Sequence, residues 1–134
     1  MPETTAPLDG YTIAFDLDGT LVDTIGDLHR ALNHVLRMEK LPLASIEDVR
    51  AYVGQGARAL IIRACGVHGV HPSDMKIDLL TEEYVEAYAK DIAANSAPFP
   101  GVIEALGALK AQGASLCVCT NKGTRLSNQL LEAV

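Results

Sequence analysis

The sequence predicts an α/β fold: parallel strands with helices, and an all-helical segment inserted after the first strand. Three observations predict it. Two short apolar runs, residues 11–15 and 114–119, each end in a polar loop, as a strand does on leaving a sheet. A helical period directly precedes the second run. Strand, helix and strand then make a βαβ unit, which implies parallel strands and a right-handed crossover. Between these parts lie four helical segments in succession, with no strand among them.

The elements follow in order. Residues 11–15, YTIAF, form the first strand, and Asp16-Leu17-Asp18-Gly19 closes it. From Asp27 the period changes, with Leu28, Ala31, Leu32, Val35 and Leu36 at helical spacing until Pro42. Ser45, with Asp48 three residues on, is a capping pattern for a second helix that carries Ile46, Val49 and Val53. Gly54-Gln55-Gly56 breaks it. Ala57, Leu60, Ile61 and Ala64 resume a helical face that Gly66 stops. A long helix spans residues 73–94, with a stripe of Ile77, Leu80, Tyr84, Val85, Tyr88 and Ile92. Its two tyrosines are expected to pack against other helices rather than to stack bases. Pro98-Phe99-Pro100-Gly101 is a rigid connector to a helix bearing Val102, Ala105, Leu106 and Leu109, closed by Gly113. Residues 114–119 form the second strand, 120–124 a loop, and a further helix runs from Arg125.

Composition excludes some partners. A net charge of −6 argues against a nucleic-acid or anionic-membrane surface. It does not argue against an anionic small substrate, because a bound cation inverts the local sign. No apolar run approaches the ~20 residues of a membrane span. The polar start, MPETTAPLDG, has neither the basic nor the apolar part of a signal peptide. Cys65, Cys117 and Cys119 are odd in number and form no CxxC motif, so buried, reduced thiols of a cytoplasmic protein are expected. His29, His34, His68 and His71 lack ligand spacing and are expected to be surface or satisfied histidines.

The chemistry concentrates in residues 13–24, IAFDLDGTLVDT. On extended backbone, positions i and i+2 project to one side, so Asp16 and Asp18 face one small ligand if the strand geometry persists. Gly19 permits a tight turn there. Carboxylates suit a hard cation such as Mg²⁺. One can attack phosphorus as a nucleophile while a second protonates the leaving group and then activates water. The same residues could instead make only turn hydrogen bonds. In open parallel sheets ligands bind at the carboxyl ends of the strands, where residues 16–20 and 120–124 both lie.

The full string Asp16-Leu17-Asp18-Gly19-Thr20-Leu21 after an apolar strand resembles the first motif of the haloacid dehalogenase superfamily of phosphohydrolases. Val22-Asp23-Thr24 is similar to the phosphatases of that group. Thr120 matches their second motif, and Thr120-Asn121-Lys122 looks like the version in phosphoglycolate phosphatases. The resemblance implies a partial Rossmann-like core of residues 1–22 and 96–134, with an inserted helical cap domain of residues 23–95. It implies that Asp16 forms an aspartyl-phosphate and ligates Mg²⁺, and that Asp18 is the general acid and base and lends its backbone carbonyl to the same ion. Leu17, Gly19, Thr20, Thr120, Asn121 and Lys122 would hold phosphate oxygens, the last three beside a helix N-terminus. The implied substrate is a small phosphomonoester, 2-phosphoglycolate, hydrolysed to glycolate and phosphate. In the insert, Gly54, Gln55 and Arg58 stand at a helix start where such caps choose their substrate. They fit a plain turn with a solvated arginine as well. Lys122 fits either a phosphate contact or a solvated loop.

Two further motifs of the superfamily, one carrying a Lys and one an acidic pair, do not occur in these residues. Phosphoryl transfer depends on neutralising charge, so the chain alone is expected to be inactive and its open sheet edge to invite self-association. Two other classes stay open on the residues alone. One is a phosphatase or phosphosugar mutase with another small substrate. The other is a non-catalytic fragment that binds a partner.

Overall fold

The structure, a computed structural model, describes residues 6–134. Part of the polar start discussed above, residues 1–5, lies outside the described residues. The elements are β1 (Thr12–Phe15), β2 (Val22–Asp23), α1 (Ile25–Met38), α2 (Ile46–Tyr52), α3 (Ala57–Gly66), α4 (Asp74–Lys90), β3 (Ala97–Pro98), α5 (Val102–Ala111), β4 (Ser115–Val118) and α6 (Thr124–Ala133). They gather into two units.

The first unit joins the residues through Asp23 to Pro98–Thr120. β1 and β4 pair in parallel, Thr12 opposite Ser115 and Phe15 opposite Val118. This is the strand–helix–strand arrangement the sequence predicts, with α5 as the crossover and packed against β4. β2 pairs with β3, and Phe99 N–H donates to the Leu21 carbonyl at 3.1 Å. The expectation of buried thiols is corrected here. Cys65 is buried, but Cys117 and Cys119 are exposed. The cause is the two-stranded sheet, in which β4 has no neighbour beyond β1 among the described residues.

The second unit is Thr24–Ala97 with Asn121–Val134. The side chains Leu28, Ala31, Leu32, Val35 and Leu36 make one buried stripe on α1, as their spacing dictates. That stripe packs with Val49 of α2, Ile61 and Cys65 of α3, and Leu80, Tyr84 and Tyr88 of α4. Leu32 is fully buried. Leu32→Ala should cost about 2–5 kcal/mol, read as a lower denaturant midpoint at unchanged slope. Tyr84 and Tyr88 meet edge to face, centroids 6.1 Å apart, so their stripe is helix packing.

Local signals set the helix ends. Ser45 and Asp48 form the reciprocal capping box: Asp48 N–H donates to Ser45 Oγ at 3.1 Å and Ser45 N–H to Asp48 Oδ2 at 3.0 Å. The Ser45 backbone N–H first, and then its hydroxyl, hold the Asp48 carboxyl below its ordinary pKa. A lowered folded pKa contributes stability above the unfolded value, which is lost as pH falls through the folded one. A Ser45→Ala chain should therefore be less stable than the parent near neutral pH, and the gap should narrow on acidification. Acid titrations of both chains followed by helical circular dichroism check this.

α4 ends at Lys90, four residues short of the predicted 94. Arg30 explains the stop, because Nη1 donates to the Ala87 carbonyl at 2.9 Å and Nη2 to the Asp91 carbonyl at 3.1 Å. These bonds satisfy carbonyls that a longer helix would have used. Residues 121–134, grouped with the core from sequence, pack with the helical unit, where Leu126 and Leu130 are buried and α6 lies on α4.

Candidate functional site

Because β1 and β4 are parallel, Asp16 and Thr120 leave neighbouring strands at the same edge. Cys119 N–H still donates to the Phe15 carbonyl at 2.8 Å, so the ladder persists to the mouth of the loop. Leu17, with no exposed surface, anchors the loop that follows. Its carbonyl accepts the N–H groups of Leu21 and Val22, each at 3.1 Å, and of Thr20 at 3.3 Å. Gly19 N–H donates to the Val22 carbonyl at 2.9 Å, and Leu17 N–H to Asp16 Oδ1 at 2.8 Å. Gly19 has φ 78°, a left-handed conformation that glycine adopts without strain. The result is a closed loop with Asp16 exposed and Asp18 half-buried on either side of a buried leucine.

Leu17, Gly19 and Thr20, predicted to hold phosphate, thus use their N–H groups inside the loop. The donor chemistry at Asp16 and Asp18 is hard oxygen. Mg²⁺ is commonly held by one or two carboxylates, with water and substrate phosphate oxygens completing its shell, so this pair fits such an ion. Among the described residues no third His, Cys, Asp or Glu gathers with them.

The remaining candidates lie in the helical unit. Asn121 Nδ2 donates to the Gly54 carbonyl at 2.8 Å. Gly56, the N-cap of α3, has φ 88°, and a Cβ there would stand 3.2 Å from the Asn121 carbonyl. The structure therefore brings Gly54 and Gly56 of the insert against Asn121. Gly56→Ala should destabilise the unit by about 1–2 kcal/mol, through the left-handed strain and the contact together. A thermal melt beside Gly123→Ala is the check, because Gly123 has no atom within 4 Å of its would-be Cβ.

Gln55 turns elsewhere and accepts from Arg63 Nη2 at 2.6 Å, while Nη1 of the same arginine holds the Tyr52 carbonyl at 2.7 Å. Arg58 is ion-paired on the surface with Asp74 at 3.1 Å and Asp78 at 3.4 Å. The expectation of a merely solvated arginine does not describe it. Lys122 is not a bare loop residue either: Nζ lies 2.8 Å from the Tyr88 hydroxyl and 4.2 Å from its ring centroid. Arg125 adds an ion pair to Glu86 at 2.8 Å, whose hydrogen bond and charge lower the Glu86 pKa and raise that of the guanidinium.

Sequence reasoning missed Asp27. This carboxylate is fully buried and accepts from Asn95 N–H at 3.0 Å, Asn95 Nδ2 at 3.3 Å and Ser96 Oγ at 2.6 Å. Its position four residues before Ala31 and eight before Val35, on the apolar stripe, was the available signal. Asn33 was missed too. It is buried, and its amide accepts the Ala44 N–H at 2.8 Å and donates to the Ala44 carbonyl at 3.1 Å.

An acidic loop at the carboxyl edge of a parallel strand pair, in a chain that also carries a helical insert, defines a class of hydrolase. Residues 13–134 match the haloacid dehalogenase-like hydrolases, and the chain belongs to that family. Its core is the family's α/β fold. The chain is 52% identical to the phosphoglycolate phosphatase of Caulobacter vibrioides over 95% of its own length and 54% of the relative's. It is 43% identical to that of Agrobacterium fabrum, over 96% and 55% respectively. A crystal structure of a predicted phosphoglycolate phosphatase from Haemophilus somnus superposes with a TM-score of 0.82 at 36% identity, covering 91% of this chain and 56% of that one. The chain thus spans about half the length of the curated relatives it matches. No helix among the described residues is long and apolar enough to cross a membrane.

Proposed function

We propose that this chain supplies the nucleophile and the acid–base group of a Mg²⁺-dependent phosphatase that hydrolyses 2-phosphoglycolate to glycolate and phosphate. The observation that carries the reading is the loop of residues 16–20, which sets two carboxylates at the sheet edge that Thr120 shares. The likeness to relatives named phosphoglycolate phosphatase supports the choice of substrate.

In this reading Asp16 attacks phosphorus, the ester P–O bond breaks, and Asp18 gives its proton to the departing alkoxide. Asp18 then takes a proton from water as that water attacks the aspartyl-phosphate. Inorganic phosphate leaves and the Asp16 carboxylate is regenerated. Mg²⁺, held by the Asp16 carboxylate and the Asp18 backbone carbonyl, would neutralise phosphate charge. The Thr120 hydroxyl and the Asn121 N–H bind phosphate oxygens, beside the start of α6. Residues 1–22 and 96–134 are the core in this reading, and 23–95 the substrate-selecting cap. The three free cysteines support a reducing, cytoplasmic setting, and the net charge of −6 supports a small-molecule partner over nucleic acid.

Residues 1–134 by themselves are expected to turn over little. Among the described residues no third His, Cys, Asp or Glu gathers with the two carboxylates, and phosphoryl transfer relies on compensated charge. The test joins to this chain the part of the Caulobacter vibrioides relative that it does not cover, and follows phosphate release from 2-phosphoglycolate. Release that needs Mg²⁺ and is absent from the 134-residue chain is the expected result. Isomerisation of a sugar phosphate without release would instead assign a mutase.

A further inference from the structure

We infer that Arg63 is a positioning residue for Asn121, acting through the loop of residues 53–56. The inference rests on the phosphatase reading for its last link alone, in which the Asn121 N–H binds a phosphate oxygen. Every other link is a contact within the helical unit.

The loop between α2 and α3 is loose by composition. Gly54 and Gly56 have φ 123° and 88°, values that a side chain rarely permits. Glycine allows this conformation without selecting it, because glycine has the most backbone freedom to lose. Arg63 selects it. Its guanidinium reaches back along α3, where Nη1 donates to the Tyr52 carbonyl at 2.7 Å and Nη2 to Gln55 Oε1 at 2.6 Å. Tyr52 and Gln55 stand on either side of Gly54, so one planar fork spans the bend. Lysine's compact ammonium lacks the fork that fits two acceptors at once.

Half of this grip is an ordinary cap. The Tyr52 carbonyl lies at the end of α2, where carbonyls lack helical partners and a cation is favourable. The Gln55 bond is not needed for that cap. It fixes the middle of the loop, and the loop is what meets Asn121. The Gly54 carbonyl accepts from Asn121 Nδ2 at 2.8 Å, and a Cβ on Gly56 would stand 3.2 Å from the Asn121 carbonyl oxygen. One loop therefore holds Asn121 by its side chain and closes on its carbonyl, which sets the direction of its N–H. Hydrogen bonds weaken steeply off line, so a loosened loop costs phosphate affinity without touching the Asp16 and Asp18 carboxylates.

The test uses the chain joined to the remainder of its Caulobacter vibrioides relative. Gln55→Ala removes the loop bond and keeps the cap on Tyr52, and Arg63→Lys keeps a cation at that cap. Each should raise KM for 2-phosphoglycolate, and the inhibition constant of inorganic phosphate, about fivefold, the worth of one hydrogen bond. kcat and the melting temperature should change little, which a merely structural role for Arg63 does not predict. Gln55→Ala should add nothing further to an Asn121→Ala chain, because both act through one contact. Hydrogen exchange read by mass spectrometry should quicken over residues 120–124 in both loop variants, and this readout needs no turnover. Unchanged exchange there would overturn the proposal, whatever the assay gives. So would a rise in KM from Gln55→Ala that is equal with and without the Asn121 side chain. Quickened exchange with unaltered KM and phosphate inhibition would uphold the hold on Asn121 and place the failure in the phosphate reading.

Discussion

Asp16→Asn should abolish phosphate release by the joined chain while leaving its fold intact. An amide at this position cannot attack phosphorus, and the mechanism proposed here has no second nucleophile. The expected loss is roughly three orders of magnitude or more in kcat, with KM little changed. The side chain is exposed, and the bond that its Oδ1 accepts from the Leu17 N–H can be accepted equally well by an amide oxygen. The circular dichroism spectrum and melting curve should therefore match the parent. Asp18→Asn should differ in kind. It keeps the nucleophile and loses the proton donor, so esters with good leaving groups should lose less rate than 2-phosphoglycolate. Equal turnover by Asp16→Asn and the parent would remove the aspartyl-phosphate mechanism.

Asp27→Ala should be the most damaging single change to the helical unit outside the apolar core. The carboxylate has no exposed surface and receives three hydrogen bonds from Asn95 and Ser96, with Arg30 Nη2 3.7 Å away. Truncation removes the acceptor that the exposed Asn95 and the half-buried Ser96 share, and opens a cavity where the carboxylate was buried. The expected cost is about 2–3 kcal/mol, for the loss of hydrogen bonds to a charged acceptor. A urea titration should show a lower midpoint at unchanged slope. Asp27→Asn should fall between, because its one carbonyl oxygen can keep the Asn95 N–H and the Ser96 hydroxyl, which share Oδ2, but its NH₂ group then faces Asn95 Nδ2. Asp74→Ala, at an almost fully exposed carboxylate, supplies the comparison. If Asp27→Ala shifts the midpoint no further than Asp74→Ala does, the buried network is not what holds the start of α1 to the segment after α4.

These two aspartates divide what was legible in the sequence from what was not. Asp16 sits in a contiguous string in which strand, carboxylates and glycine turn follow one another, so local chemistry alone marked it. The helical period of α1, the Ser45–Asp48 cap and the glycine break at residues 54–56 were legible for the same reason. Each depends on residues within one or two turns of one another. Asp27 is bound by residues 68 and 69 positions away in the chain, and a lone acidic residue near a helix start reads as a solvated first-turn charge.

The sequence by itself determined the family, the two strands and their parallel sense, and the pair of carboxylates at the strand end. Tertiary structure decided which polar groups are buried and which loops meet. It set Asn121 against Gly54 and Gly56, carried Lys122 to Tyr88, stopped α4 at Lys90 through Arg30, and left Cys117 and Cys119 on an exposed edge. The physical reason is range. Propensity, periodicity and capping act over a few residues, whereas burial and hydrogen-bond partners depend on distant segments that only the fold brings together.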